Sequence, residues 1–166
     1  MIEIRKLSID DSYDIYNFLQ ELPKEENGFN NRVNGMSFLE FKEWLLKKYD
    51  EEIQEGLVDG WRVPSTTYYL IVDGKPAGIG NIRHFLTDAL RIEGGHIGYA
   101  VSPNYRNKGY GKEFLKLMLI EAKKLGISKV LVTAYIDNLA SQKVAIANGG
   151  VITDRDEKRV RIWIDN

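Results

Sequence analysis

Within ten residues the chain passes from a strand pattern, Gly95–Val101, to a helix pattern beginning near Gly109. The join reads Arg106-Asn107-Lys108-Gly109-Tyr110-Gly111. The first turn of a helix has N–H groups without helical partners and a partial positive charge, so an anion placed there is stabilised. Two glycines let the backbone come close to that anion and adopt angles other residues avoid. Arg106 and Lys108 add charge-assisted contacts. The join therefore reads as a pyrophosphate cradle, its helix end alone worth about 0.3–1 kcal/mol. Two rival anion motifs fail. A P-loop would need glycine where Arg106 stands and Ser or Thr where Glu113 stands. A dinucleotide fingerprint would need a third glycine at Phe114.

The rest of the chain supplies a mixed set of elements. Ile2–Leu7 alternates like a strand. Ser8 and Asp10 are candidate caps for a helix with Ile15, Phe18, Leu19 and Leu22 on one face, ended by Pro23. A polar loop, Lys24–Gly35, follows. Ser37 then caps a helix with Phe38, Phe41, Leu45 and Leu46 at helical spacing. Tyr68–Val72 and Ala77–Phe85, joined by Asp73-Gly74-Lys75-Pro76, read as a hairpin. After the cradle helix, stopped by Gly126, come a strand Lys129–Tyr135 and a helix Asn138–Asn148. A hairpin of Val151–Ile152 and Val160–Ile164 closes the chain. The order β-α-α-β-β-β-α-β-α-β-β predicts an α/β fold.

At 166 residues, with 43% hydrophobic and 28% charged residues, the chain fits one globular domain, residues 1–166. No apolar run is long enough to span a bilayer, and the N-terminus lacks the apolar core of an export signal, so a cytoplasmic location is expected. Cysteine is absent, which excludes disulfides and cysteine nucleophiles; with only two histidines, no metal is expected. Net charge is −1, but residues 1–60 carry −7 and residues 101–130 carry +5. The basic stretch fits a small polyanion or a solvated lysine-rich helix face, and is too narrow for a nucleic-acid surface.

The motifs together resemble one family. Gly98-Tyr99-Ala100-Val101-Ser102-Pro103, the Arg106–Gly111 loop and its helix, Val130-Leu131-Val132-Thr133-Ala134, Asn138-Leu139-Ala140-Ser141 and Asn148-Gly149-Gly150 are similar to the GNAT acyl-CoA-dependent N-acetyltransferases. Asn81-Ile82-Arg83-His84 and Gly94-Gly95-His96-Ile97-Gly98-Tyr99 look like a bacterial subgroup of that family. The resemblance implies a GNAT fold, a mixed and mostly antiparallel sheet flanked by helices. It implies acetyl-CoA as cosubstrate, no metal, and direct transfer to a primary amine of a small molecule or peptide. The alternative is a non-catalytic acetyl-CoA-binding or sensor domain. Neither nucleic acid nor membrane is an expected partner, and the chain is expected to be a monomer or homodimer.

Residue by residue, the resemblance implies that Arg106, Asn107, Lys108, Gly109, Tyr110 and Gly111 bind the coenzyme A pyrophosphate through backbone amides, helped by the helix start at Lys112. Backbone groups of Tyr99 and Val101 would pair with the pantetheine arm. Asn138 would hydrogen-bond near that arm, with Ser141 one turn later; Asn138 also reads as a helix N-cap and Ser141 as a small packing residue. Many family members carry a tyrosine seven residues after this asparagine, able to protonate the departing thiolate. Here that position is Ala145, although a thiol of pKa ~8.5 leaves with little help.

An amine of pKa ~10.4 must give up a proton before it attacks, at about 4.6 kcal/mol at pH 7, so a base is sought. Glu93, His96 and His84 are candidates, each also readable as a surface charge or a hydrogen-bonded strand histidine. By family analogy the acceptor pocket lies among the first helices, the Lys24–Gly35 loop and the hairpin. Its candidate lining is Glu25, Glu26, Phe29, Trp61 and Tyr68, which also read as ordinary core aromatics and surface acids. The −7 charge of residues 1–60 predicts a cationic acceptor.

Overall fold

Alternation of apolar residues along the strands divides the interior into two cores, one on each face of a central sheet. In the computed structural model, which describes residues 1–53 and 60–166, the elements run β1 (Ile2–Lys6), α1 (Tyr13–Glu21), β2 (Glu25–Glu26), β3 (Phe29–Asn30), α2 (Phe38–Ile53), β4 (Ser65–Val72), β5 (Lys75–Arg83), α3 (Asp88–Ile92), β6 (Ile97–Val101), α4 (Tyr110–Lys124), β7 (Lys129–Tyr135), α5 (Leu139–Ala147), β8 (Val151–Arg155) and β9 (Arg159–Asp165). Every residue of β4 is buried, because successive side chains point to opposite faces and both faces are covered. Tyr68, Leu70 and Val72 join Phe114, Leu115 and Met118 of α4 in one core. Tyr69 and Ile71 join Ile15 and Leu19 of α1 and Phe41 and Leu45 of α2 in the other. Each such aliphatic or phenylalanine side chain, fully buried, contributes about 1.5–3 kcal/mol. A Cβ at Gly80 would stand 2.8 Å from Met118 Sδ, so glycine there lets α4 lie close on β5.

The strands form two sheets, β1-β4-β5-β6 and β7-β9-β8, plus the two-residue hairpin β2-β3. Each pairing within them is antiparallel. The expected mostly antiparallel sheet flanked by helices is thus present, split between β6 and β7. All eleven expected elements occur in the expected order, and the strand Lys129–Tyr135 has the expected bounds.

Four local expectations need correction. Ser8 and Asp10 lie before α1 rather than capping it: Ser8 Oγ accepts from the Asp10 N–H at 3.1 Å, and the helix starts only at Tyr13. Leu46 points outward, 54% exposed, because the inward stripe of α2 is Phe41 and Leu45. The Lys24–Gly35 loop holds β2 and β3. Helix α3, capped by Thr87 Oγ1 accepting from the Leu90 N–H at 3.2 Å, is an addition to the expected order, because its five residues are too few to show a period. Among the described residues no helix is long and apolar enough to cross a membrane.

Candidate active site

Two glycines part the sheets. Gly94 and Gly95 have φ of 103° and 61°, and a Cβ on Gly95 would stand 2.4 Å from the Leu131 carbonyl oxygen. This approach lets the His96 N–H donate to Leu131 O at 2.8 Å, while the Gly94 N–H donates to Thr133 Oγ1 at 2.9 Å. Beyond that seam no ladder joins β6 to β7 among the described residues, and a cleft of about 800 Å³ opens between them, the size of a cofactor or substrate pocket. Backbone register decides which groups of β6 face it. The Arg83 N–H donates to His96 O at 2.7 Å and the Ser102 N–H to Ala77 O at 2.8 Å. Bonded positions alternate along an antiparallel pair, and the register runs unbroken from Gly78↔Val101 to Ile82↔Ile97. The backbone groups of Ile97, Tyr99 and Val101 therefore point away from β5, toward the cleft.

At one end of the cleft lies the Arg106–Gly111 loop. Asn107 and Gly109 sit in the left-handed region, φ 61° and 81°, and no side chain caps the start of α4. The amides of its first turn are left for a ligand. Arg106, Asn107, Gly109, Tyr110, Gly111 and Lys112 all line the cleft; Lys108 is exposed and does not. Arg106 donates Nε to Val101 O at 3.1 Å and pairs its guanidinium with Glu26. Glu26, read from the sequence as acceptor-binding, is thereby brought to the cradle. Asn138 caps α5, its Oδ1 accepting from the Ser141 N–H at 3.3 Å. Both line the cleft, as do Tyr99 and Val101. Burial pushes the Tyr99 hydroxyl pKa up, an effect partly offset by a hydrogen bond with Ser141. Ala145 is fully buried in the core.

The other end of the cleft is ringed by Arg83, Glu93, Tyr135 and Arg159, with Phe29 and Trp61 also lining it. Glu93 pairs with Arg159, whose guanidinium lies 4.7 Å over the Tyr135 ring. Arg83 donates Nη1 to the carbonyls of Gly94 (3.1 Å) and Gly95 (3.2 Å). The remaining sequence candidates lie elsewhere. His96 is buried edge-on to Trp163, and its Nδ1 accepts from the Leu131 N–H at 2.9 Å. Burial, then Arg91 and Arg83, push its pKa down to about 4. It is neutral at pH 7 with its proton on Nε2, and its one lone pair is taken. His84 bonds Thr66 through Nε2 at 2.8 Å, outside the cleft lining. Tyr68 faces the core, its hydroxyl pushed up to about 12 by burial and by Glu121 and Glu52. Glu25 turns back to accept from the Gly28 N–H at 2.8 Å.

Sequence reasoning passed over Arg83, Tyr135 and Arg159. Arg83 sits inside a quoted motif without a role. Tyr135 closes an apolar strand, and Arg159 reaches the cleft only because β9 folds back beside β7, register Tyr135↔Arg159, which nothing local to residue 159 reveals.

The sequence matches the family model of the acetyltransferase (GNAT) domain over residues 2–151. No curated protein sequence matches it. The structure is similar to a GNAT-family acetyltransferase from Streptococcus pneumoniae, with TM-score 0.63 and 18% identity over 98% of this chain and 97% of that one. It is similar to Campylobacter jejuni N-acetyltransferase PseH in complex with acetyl coenzyme A, with TM-score 0.59 and 14% identity over 100% and 99%. A spermidine N-acetyltransferase SpeG chimera from Vibrio cholerae and hSSAT gives TM-score 0.66 and 15% identity over 99% and 95%. At such identities the likeness is one of fold, whereas the family match spans residues 2–151, most of the sequence, with β6, β7 and the start of α4 among them: the chain belongs to the GNAT family of acetyltransferases.

Proposed function

We propose that this protein transfers an acetyl group from acetyl-CoA directly to a primary amine. The observation that carries this reading is the uncapped start of α4 at one end of a cleft whose wall, β6, turns inward backbone groups that no neighbouring strand pairs. The pyrophosphate would rest on the amides of Tyr110, Gly111 and Lys112. The pantetheine arm would run along β6 like an added strand, bonding Tyr99 and Val101. That places the thioester near the start of β6, about 13 Å from the cradle end of the strand. Glu93, the carboxylate lining that end, would take the amine proton, directly or through one water. The amine nitrogen bonds to the acetyl carbonyl carbon, the carbon–sulfur bond breaks, and the thiolate leaves.

The buried Ala145, in place of the family tyrosine, supports a second reading in which acetyl-CoA binds without transfer. One experiment separates the two: release of free thiol from acetyl-CoA against a panel of amines. Catalysis gives amine-dependent release that Glu93→Gln slows. Tight acetyl-CoA binding with no release for any amine would support the sensor.

A further inference from the structure

The acceptor end of the cleft has the wrong charge for the cationic amine that residues 1–60 suggest. Outside the cradle, the charged lining of the whole cleft among the described residues is Arg32, Lys48, Arg83 and Arg159 against Glu93, of which Arg83, Glu93 and Arg159 stand at this end. Glu93 is already paired with Arg159, and Lys48 with Glu51 of its own helix. Glu26 is committed to Arg106 at the cradle. The acidic surplus of residues 1–60 therefore adds no unpaired carboxylate to this lining among the described residues.

Arg83 is the informative member. Arg83 is half-buried, and burial depresses its pKa. It has no carboxylate partner among the described residues. Only Nη1 is used, on the two glycine carbonyls, and Nη2 and Nε have no acceptor among the described residues. A half-buried cation held only by two peptide carbonyls keeps an unmatched charge, and a planar guanidinium matches a carboxylate with two parallel hydrogen bonds. Position fixes which part of a ligand it would meet. The Arg83 N–H bonds His96 O, one register step beyond Ile82↔Ile97, at the end of β6 remote from the cradle. Its Nη1 holds the carbonyl of Gly94, the residue after Glu93.

We propose that the acceptor is an amine bearing a carboxylate a few bonds from the reacting nitrogen, as in an amino acid, and that Arg83 is the residue that reads the carboxylate. This rests on the transferase reading above. The amine would sit by Glu93 and the carboxylate against the unused side of the Arg83 fork.

The test compares matched acceptors, amino acids against their carboxamides, with spermidine as a cationic control, by thiol release at saturating acetyl-CoA. Acetyl-CoA affinity is measured by calorimetry on each protein. Wild-type kcat/KM is expected to favour the carboxylate member by about tenfold or more, as for a site built around a polar partner. In Arg83→Met that ratio should fall toward one through KM, and Arg83→Lys should keep part of it. A purely structural role for Arg83 would lower both members together and leave the ratio standing, which overturns the assignment. If the variants do not fold, the wild-type ratio decides alone: equal use of acid and amide, or preference for spermidine, overturns the proposal while acetyl-CoA binding stands. Absence of acetyl-CoA binding to the wild type overturns the transferase reading itself.

Discussion

Gly109 is held in the left-handed region with nothing within 4 Å of where a side chain would begin, whereas a Cβ on Gly111 would meet Val144 Cγ2 at an ordinary 3.6 Å. Replacing Gly109 therefore strains the backbone, by about 1–2 kcal/mol, and confuses folding with binding. Gly111→Ala is the cleaner probe. Its melting temperature should stay near that of the wild type while a methyl intrudes where a phosphate would approach the α4 amides. Acetyl-CoA affinity by calorimetry is expected to fall about tenfold, or ~1.4 kcal/mol; unchanged affinity would put the phosphates elsewhere. His96 shows where residue-scale reading fails. Its ordinary pKa and its place before the cradle suggest a base, but Gly94-Gly95 breaks the strand count and Trp163 arrives from β9. Its folded pKa of about 4 lies below the ordinary 6.5. Between those values the unfolded chain binds a proton that the folded chain refuses. Stability should thus be whole above about pH 6.5 and be lost as pH falls through 4, by about 3 kcal/mol in all. Urea midpoints from pH 7 to 4 check this, with His96→Asn expected to flatten the curve; a flat wild-type curve would count against the buried imidazole.

At the scale of elements, legibility followed length and local chemistry. The box Ser37-Phe38-Leu39-Glu40 shows why the start of α2 could be read: Ser37 Oγ accepts from the Glu40 N–H at 3.1 Å and Glu40 Oε1 from the Ser37 N–H at 2.9 Å, a reciprocal pattern written within four residues. Asn138 was legible as a cap for the same reason. The β4–β5 hairpin announces itself through Asp73-Gly74, both at positive φ. By contrast, β2 and β3 are two residues each, and Arg106 ties that hairpin to the cradle through Glu26 across eighty positions. The polar start of β4 also escaped notice. Ser65, Thr66 and Thr67 are buried because the sheet covers them, a tertiary effect that overrides their polarity. The cradle could be read in advance because loop, glycines and helix start are contiguous. The acceptor end could not, since its lining comes from β5, the α3–β6 bend, β7 and β9.

Seen whole, the two sheets meet at one seam, His96 on Leu131, and the cleft beyond it is walled by both, with Glu93 and Arg83 on one side and Tyr135 and Arg159 on the other. A thioester entering from the cradle and an amine entering from the far end would meet in one space. No relay residue is needed to carry the acetyl group. Cysteine is absent from the chain, and Ser141, the serine lining the cleft, keeps company with the Tyr99 hydroxyl and has no histidine beside it. An activated serine needs an adjacent base. Transfer should therefore pass through a complex holding both substrates. Initial rates measured over a grid of acetyl-CoA and amine concentrations are expected to give intersecting double-reciprocal lines. Intact-mass analysis after mixing with acetyl-CoA alone should show no added acetyl group. Parallel lines, together with an acetylated cleft residue that passes its acetyl group to added amine, would instead require a covalent relay and overturn direct transfer.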